Sequence, residues 1–142
     1  MKATARSYAA GVLDADGTVR ICRSRQPKNT KAYRHGLRVS VSNSDLTLLR
    51  WFKAELGGNL MLLLPRAEGH RPVHRWYLHG VLAGKMLRSV LPYLIVKRER
   101  ALIGLEFVHT IQKPGIHLPL KLFTQREALY WTMRTLNRRG TR

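Results

Sequence analysis

The sequence predicts an α+β domain in which a helix and a strand pair occur twice in succession and are followed by further helices. Two stretches, 18–25 and 37–42, alternate apolar and polar residues, which is the period of a half-buried strand. An alanine-rich stretch precedes the first of them, and alanine has the highest helix propensity. Helix boundary signals at 42–45 and at 57–58 then separate one strand pair from the next.

The first unit begins with a helix predicted over residues 3–13, which Gly17 ends. Val19 and Ile21 are predicted to face the core from the strand that follows. The stretch 37–42 alternates in the same way and returns as the second strand. Together the two strands are expected to form an antiparallel hairpin with a polar outer face.

The second unit repeats this plan. Ser42 or Asn43 is predicted to cap a second helix, with Asp45 as its capping-box partner, and a glycine pair ends that helix. The segments 60–66 and 73–79 are predicted as the second strand pair. The first of these does not alternate, so the facing of its side chains stays open.

The rest of the chain is predicted to be helical. Two helices are expected at 80–94 and 98–111, and a last helix begins at Thr124 with Glu127 as a capping-box partner. The sequence contains no linker, repeat or low-complexity segment, so residues 1–142 are expected to form a single domain. The histidines are expected on the surface, and three tryptophans are expected in the core: Trp51, Trp76 and Trp131.

The charge of the chain points to a polyanionic partner. The net charge is +18 and the sequence pI is near 11.4, which favours nucleic acid over an anionic membrane. Arginine outnumbers lysine eighteen to eight. Arginine suits phosphate and guanine recognition, although codon usage in a GC-rich genome explains the bias equally well.

Other classes are excluded by composition. The single cysteine, Cys22, excludes an internal disulfide and a cysteine-based zinc site. No apolar run approaches the roughly 18 residues of a membrane span, and the first residues do not resemble a signal peptide. We therefore expect an intracellular protein without a membrane partner or a small-molecule cofactor: cytoplasmic or nucleoid-associated in a prokaryote, organellar if encoded by an organellar intron.

Two of the eight acidic residues, Asp14 and Asp16, stand together just before Gly17. One interpretation is a tight turn, which Asp and Gly favour. The other is a cation site, since carboxylates at the carboxyl end of a helix are unfavourable and suggest a compensating ligand. Mg²⁺ often binds through one or two carboxylates together with phosphate oxygens.

The stretch AAGVLDADG, residues 9–17, resembles the signature of the LAGLIDADG homing endonucleases. Ala9 stands where the signature has leucine. The resemblance implies the αββαββα LAGLIDADG fold, with a saddle-shaped antiparallel sheet and an extra C-terminal helix. The matching positions are Ala10, Gly11, Asp14, Ala15, Asp16 and Gly17.

The resemblance also implies an active site. Asp16 would bind divalent metal, and the carbonyl oxygen of Ala15 could join it. Mg²⁺ is the expected ion, and Mn²⁺ or Ca²⁺ could replace it in binding. By position, Asn43 would order the attacking water and Lys97 would stabilise charge or shift the pKa of that water. Asn43 as a helix cap and Lys97 as a solvated charge are the alternatives.

Chains of this family with one motif act as homodimers, and this chain has one motif. The resemblance therefore implies a symmetric dimer in which two motif helices meet and bring two Asp16 side chains together. A twofold axis makes the expected DNA target roughly palindromic. The interface is expected to use Ala9, Ala10, Gly11 and Leu13.

Double-stranded DNA is the partner that the resemblance implies, read by the outward strand faces in the major groove. Loop residues are expected to contact phosphates, which position without specifying sequence. For any single arginine, a plain solvated charge is the alternative. The candidates are Arg20, Cys22, Ser24, Gln26, Lys28, Lys31, Arg34, Arg38, Ser40, Arg66, Arg71, Arg75 and Tyr77.

The expected function is site-specific cleavage of double-stranded DNA by metal-assisted phosphodiester hydrolysis. The alternative is a nucleic-acid binder that does not cleave, such as a group I intron maturase of the same family or a repressor-like protein. A basic ribosome-associated protein is a third interpretation, but it leaves the acidic pair unexplained. Retention of Asp16 favours the nuclease.

Overall fold

The computed structural model describes residues 1–26, 29–65 and 67–139, and for residues 29–32 and 139 it describes the backbone alone. The predicted order of helices and strands is confirmed. No helix among the described residues is long and apolar enough to cross a bilayer. The elements are α1 (Ala3–Asp16), β1 (Gly17–Gln26), β2 (Asn29–Asn43), α2 (Leu46–Leu56), β3 (Asn59–Leu63), β4 (Val73–His79), α3 (Gly80–Val90), a 3₁₀ turn (Leu91–Tyr93), α4 (Arg98–Val108) and α5 (Leu120–Arg139).

The four strands form one antiparallel sheet in the order β1–β2–β4–β3. The register places Val19 opposite Val39, and it carries Val41 across to Trp76 and then to Leu60. Four of these five residues are fully buried, and Leu60 is partly buried. The helices contact this side of the sheet, so the predicted α+β class is confirmed.

The opposite side of the sheet is here called the open face. It carries the alternate side chains of all four strands, which cross-strand pairing brings into rows. The register also settles the facing of β3, which the sequence left open. The open face consists of Thr18, Arg20, Cys22 and Ser24 of β1, Arg34, Gly36, Arg38, Ser40 and Ser42 of β2, Val73, Arg75, Tyr77 and His79 of β4, and Asn59, Met61 and Leu63 of β3.

The turn between α2 and β3 requires glycine. Gly57 and Gly58 have φ values of +72° and +90°, in the left-handed region. A Cβ atom at Gly58 would lie 2.7 Å from the carbonyl oxygen of Tyr77. The indole N–H of Trp76 donates to the carbonyl oxygen of Gly57 at 2.7 Å. The predicted end of α2 is therefore confirmed, and the turn lies directly against β4.

The predicted start of α2 and the predicted end of α1 are wrong in detail. Asp45, not Ser42 or Asn43, caps α2: its carboxylate accepts the Thr47 N–H at 2.8 Å. The side-chain oxygen of Asn43 in turn accepts the Asp45 N–H at 2.8 Å. At the other end of the sheet, α1 continues three residues beyond its predicted end, through Asp16.

The last helix also differs from its prediction, because it begins at Leu120 and contains Glu127 in its interior. The Glu127 carboxylate accepts from Arg23 Nε at 2.8 Å and lies 2.9 Å from His35 Nε2. His35 is buried, contrary to the expectation for histidines, and Trp131 is 48% exposed rather than in the core. Glu127 thus joins α5 to the β1–β2 hairpin.

Candidate functional site

Asp14 lies in the last turn of α1, where a carboxylate opposes the helix dipole. Its two oxygens accept the backbone N–H groups of Ile95, Val96 and Lys97, at 2.9, 3.1 and 2.9 Å. These N–H groups precede α4, whose N-terminus favours negative charge. Asp14 therefore fixes the start of α4 against the end of α1.

Lys97 occupies the N-cap position of α4. Its ammonium group donates to the carbonyl oxygen of Asp14 at 2.7 Å. Burial and, next, the nearby Arg100 lower the pKa of Lys97 below its ordinary value, although Asp14 and Asp16 act in the opposite direction. Lys97 is thus a partly desolvated cation held at the end of α1, and not a solvated member of a charged run.

Asp16 is the last residue of α1 and opens onto a cavity of about 1000 Å³. Within the described ranges its carboxylate makes no hydrogen bond or ion pair, in contrast to Asp14. The residues around it are predominantly basic and polar. Those that line the cavity with Asp16 include Ala15, Thr18, Arg20, Lys97, Arg100, Tyr130, Arg134, Asn137 and Arg138.

One wall of this cavity is held by Arg100. Its guanidinium donates to the side-chain oxygen of Asn137 at 2.9 Å and to the carbonyl oxygen of Leu136 at 2.8 Å. The Asn137 amide donates to the carbonyl oxygen of Val19 at 3.0 Å. These bonds join α4, α5 and β1, so the cavity has a fixed shape on the side of α5.

Asn43 does not line this cavity. Its side-chain oxygen accepts the N–H of Asp45, the residue that caps α2, so Asn43 supports the start of that helix without capping it. Asp16, Ala15 and Lys97 are brought together, and Asn43 is not. The catalytic roles of Asp16, Asn43 and Lys97 stay predictions.

The donors at the end of α1 suit a hard cation. Mg²⁺ prefers carboxylate and carbonyl oxygens and commonly retains water and phosphate ligands. The unpaired Asp16 carboxylate offers such an oxygen. Among the described residues no three His, Cys, Asp or Glu side chains come together as a metal cluster. A divalent ion at the Asp16 carboxylate would take its further ligands from backbone carbonyl, water or phosphate oxygens.

The open face carries positive charge without compensation. Arg20 lies directly opposite Arg38, and like charges in this position destabilise a sheet. Burial first, and then Arg38 and Arg20, lower the pKa of Arg75. The Arg38 guanidinium lies 4.8 Å from the centre of the Tyr77 ring. All eight acidic residues fall within the described ranges, and none lies on a strand. This face is therefore complementary to a polyanion.

Most of the predicted DNA-reading residues face this way. Arg20, Ser24 and Arg34 are exposed, and Cys22, Arg38, Arg75 and Tyr77 are half-buried. Ser40 also faces this way, but it is only 7% exposed because its neighbours cover it, which makes it a poor contact residue. Gln26 lies beyond a register shift at the end of β1, and Arg71 is exposed ahead of β4. Lys28, Arg66 and the side chain of Lys31 lie outside the described part.

Several residues of the open face and of the Asp16 cavity were not among those predicted from the sequence. Thr18 follows from the alternation of β1, whereas Asn59 and His79 needed the register of β3 and β4. Arg100 and Asn137 carried no local signal, because they meet only when α4 packs against α5.

The predicted dimer interface needs a correction. Ala9, Ala10 and Leu13 are fully buried within their own chain, since they form the side of α1 that packs on the core. Of the four predicted residues only Gly11 faces outward, and a side chain there would meet nothing within 4 Å. The outward stripe of α1, at helical spacing, is Thr4, Tyr8, Gly11 and Ala15.

No protein-family model and no curated protein sequence matches the chain. Solved structures do. The homing endonuclease I-CvuI, in complex with uncleaved target DNA in the presence of magnesium, matches with a TM-score of 0.77 and 20% identity over 92% of this chain and 80% of that one. The archaeal intron-encoded homing endonuclease I-Vdi141I, complexed with DNA, matches with a TM-score of 0.75 and 18% identity. That match covers 92% of this chain and 82% of I-Vdi141I.

The I-SmaMI LAGLIDADG homing endonuclease, bound to cleaved DNA, matches with a TM-score of 0.71 and 15% identity. That match covers 90% of this chain but 43% of I-SmaMI. These likenesses agree with the helix and strand order, the antiparallel sheet and the motif at the end of α1. The chain has the fold of the LAGLIDADG homing endonucleases.

Proposed function

We propose that this chain is a site-specific, Mg²⁺-dependent endonuclease that cleaves double-stranded DNA as a homodimer. The observation that carries the proposal is the Asp16 carboxylate, which makes no hydrogen bond or ion pair with any described residue and lies in a basic cavity at the edge of the basic open face. A protein that only binds DNA gains nothing from a carboxylate that faces phosphates, because the two repel each other. The DNA complexes of I-CvuI, I-Vdi141I and I-SmaMI support the same reading.

In this proposal Asp16, with the carbonyl oxygen of Ala15, holds the divalent ion. When bound, Mg²⁺ supplies charge neutralisation at the scissile phosphate and favours formation of the nucleophile from water. Lys97 stabilises negative charge that develops on the phosphate oxygens. Its lowered pKa also makes transfer of a proton less costly than for a solvated lysine.

The open face provides the DNA contacts. A two-stranded ribbon fits the major groove, where arginine to guanine is the commonest specific contact. Arg20 and Arg38 lie side by side and form an ion pair with no carboxylate of the described residues, so phosphates or guanine edges would relieve their repulsion. Arg34 lies further along β2 on the same face, and we expect the exposed Arg71 to contact the DNA backbone.

Two features support the proposed dimer: the need for two active centres, and the outward side of α1. One chain offers one Asp16, whereas cleavage of both strands needs two active centres. The outward stripe of α1 has Gly11 at its middle, which allows two helices to approach closely. This chain matches 43% of I-SmaMI and 80% of I-CvuI, which is consistent with one unit per chain.

The test begins without knowledge of the target. Bound duplexes are selected from a random DNA library in Ca²⁺, and the enriched sequence is then incubated with Mg²⁺. We expect a double-strand break within an approximately palindromic site. Asp16→Asn should bind the same DNA and reduce cleavage at least about a hundredfold, the scale of losing a transition-state stabilising group.

Asp45→Asn is the matched control, because it makes the same change at a helix cap that does not line the Asp16 cavity. It should cleave like the wild type. Selective binding with no Mg²⁺-dependent cleavage would instead establish the non-cleaving alternative. Equal cleavage by Asp16→Asn would remove Asp16 from the active site.

A further inference from the structure

The two ends of the open face differ in chemistry. At the far end of the β1–β2 hairpin, Ser24 lies opposite Arg34, so both outward side chains carry hydrogen-bond donors. At the far end of the β3–β4 hairpin, Leu63 lies opposite Val73, and Met61 is the preceding outward residue of β3. We call Met61, Leu63 and Val73 the apolar end.

The side chains of the apolar end are partly exposed and also contact their neighbours on the sheet. Met61 is 39% exposed, and Leu63 and Val73 are half-buried. The Met61 sulfur lies 3.9 Å from a guanidinium nitrogen of Arg38. The guanidinium of Arg75, which pairs with Met61, donates to the Ser42 hydroxyl at 3.2 Å and so is bonded toward β2. The side chains of Leu63 and Val73 have no hydrogen-bond donor or acceptor, and the Met61 sulfur is only a weak acceptor.

This surface is continuous with the basic part of the open face, because the same antiparallel sheet carries both. A duplex that lies along the arginines therefore meets the apolar end with its adjoining base pairs. In the major groove, the base-edge group that an apolar side chain recognises is the C5-methyl group of a pyrimidine. Burial of that methyl group is favourable, whereas a polar base edge placed there would lose its water without gaining a partner.

We propose that the apolar end recognises pyrimidine C5-methyl groups, so that each half of the target contains a methyl-bearing segment under the β3–β4 hairpin. This inference rests on the proposed function, since it names the DNA chemistry that one part of the same face selects. Thymine and 5-methylcytosine both carry the group. The hairpin formed by β1 and β2 would read its own segment through hydrogen bonds instead.

The experiment uses the full chain and the sequence enriched from the random library. Each enriched thymine is replaced in turn by deoxyuridine, which removes only the methyl group. We expect binding to weaken about fourfold at one or more positions in each half-site. Cytosine placed at those positions should bind more weakly than 5-methylcytosine, and this comparison separates recognition of the methyl group from recognition of thymine as a base.

The variant Leu63→Asn should bind deoxyuridine and thymine duplexes equally at the affected positions. Leu62→Asn is the matched control, because Leu62 is 54% exposed on the other side of the same strand and should retain the difference. Equal binding of deoxyuridine and thymine duplexes by the wild type at every position would overturn the inference, and this arm needs no variant to fold. A library without any enriched sequence would overturn the proposed function as well.

Discussion

Lys97 and Asp14 are joined twice: the Lys97 backbone N–H donates to the Asp14 carboxylate at 2.9 Å, and the Lys97 ammonium group donates to the Asp14 carbonyl oxygen at 2.7 Å. The pair connects the end of α1 to the start of α4. This connection holds Lys97 in the cavity that Asp16 also lines. The two acidic residues therefore differ in role: Asp14 joins α1 to α4, and the Asp16 carboxylate faces the cavity.

Asp14→Asn should destabilise the fold, because an asparagine side chain places an N–H group among the three backbone N–H donors that precede α4. We expect a loss of about 1–2 kcal/mol in the free energy of unfolding, measured in urea. Asp16→Asn is the control and should leave this free energy nearly unchanged. Equal losses in the two variants would contradict the division of tasks.

Arg20→Gln should stabilise the protein and weaken DNA binding, since it removes one of two like charges that face each other across β1 and β2. The expected gain in unfolding free energy at low salt is about 0.2–1 kcal/mol. If Arg20 contacts a phosphate, a plot of the logarithm of the binding constant against the logarithm of the salt concentration should become less steep, by about 0.9 in slope. Loss of stability in this variant would show that Arg20 has an unrecognised structural role.

Gly11→Gln should convert a dimer to monomers, because it places a long side chain in the middle of the outward stripe of α1. The monomer itself should be more stable by up to about 1 kcal/mol, since glycine is unfavourable inside a helix. Sedimentation gives the mass and urea the stability. Ala54→Gln, an exposed change on α2, should not alter the mass. A monomeric wild type would refute the dimer directly.

Acid should weaken the attachment of α5 through His35. Burial lowers the pKa of His35 below its ordinary 6.5, more than Glu127 raises it. The unfolded chain therefore binds a proton more readily than the folded one, and stability falls as pH decreases below about 6.5. Burial alone would raise the pKa of Glu127, but hydrogen bonds from Arg23 and His35 lower it, so its own contribution is lost only at lower pH.

His35→Gln keeps an N–H donor for Glu127 and removes the titration. Between about pH 7 and about pH 5, its unfolding free energy should depend on pH less steeply than that of the wild type, by at most about 1.4 kcal/mol per pH unit. His109→Gln changes an exposed histidine and should retain the wild-type slope. Identical slopes in all three proteins would show that His35 does not titrate differently on folding.

The features that the sequence predicted well depend on periodic patterns or on local signals in the chain. The alternation around Val19 and Arg20 specified both faces of β1, and the glycine pair specified the end of α2. Glu127 shows the limit: three residues after Thr124 it matches a capping box, yet its partners Arg23 and His35 are 104 and 92 residues away. Such partners depend on how α5 packs on the hairpin, which no local pattern contains.

The same limit applies to the site. The motif led to Asp16, and its position in the chain led to Lys97, but the bonds from Asp14 to α4 emerged only from packing. The predicted interface residues show the same limit, because the sequence does not say which neighbour each side of α1 contacts. Ala9 and Ala10 lie against their own chain, and only Gly11 is left for another.

The strands separate two kinds of evolutionary constraint. On each strand the core-facing side chains pack against the helices, whereas the outward side chains that alternate with them do not contribute to the core. Substitution of an outward residue such as Ser24 or Leu63 therefore leaves the core and the end of α1 untouched. Under the proposed function, a lineage with this chain can therefore change its DNA site one position at a time, and an engineer can do the same, without altering the residues around Asp16.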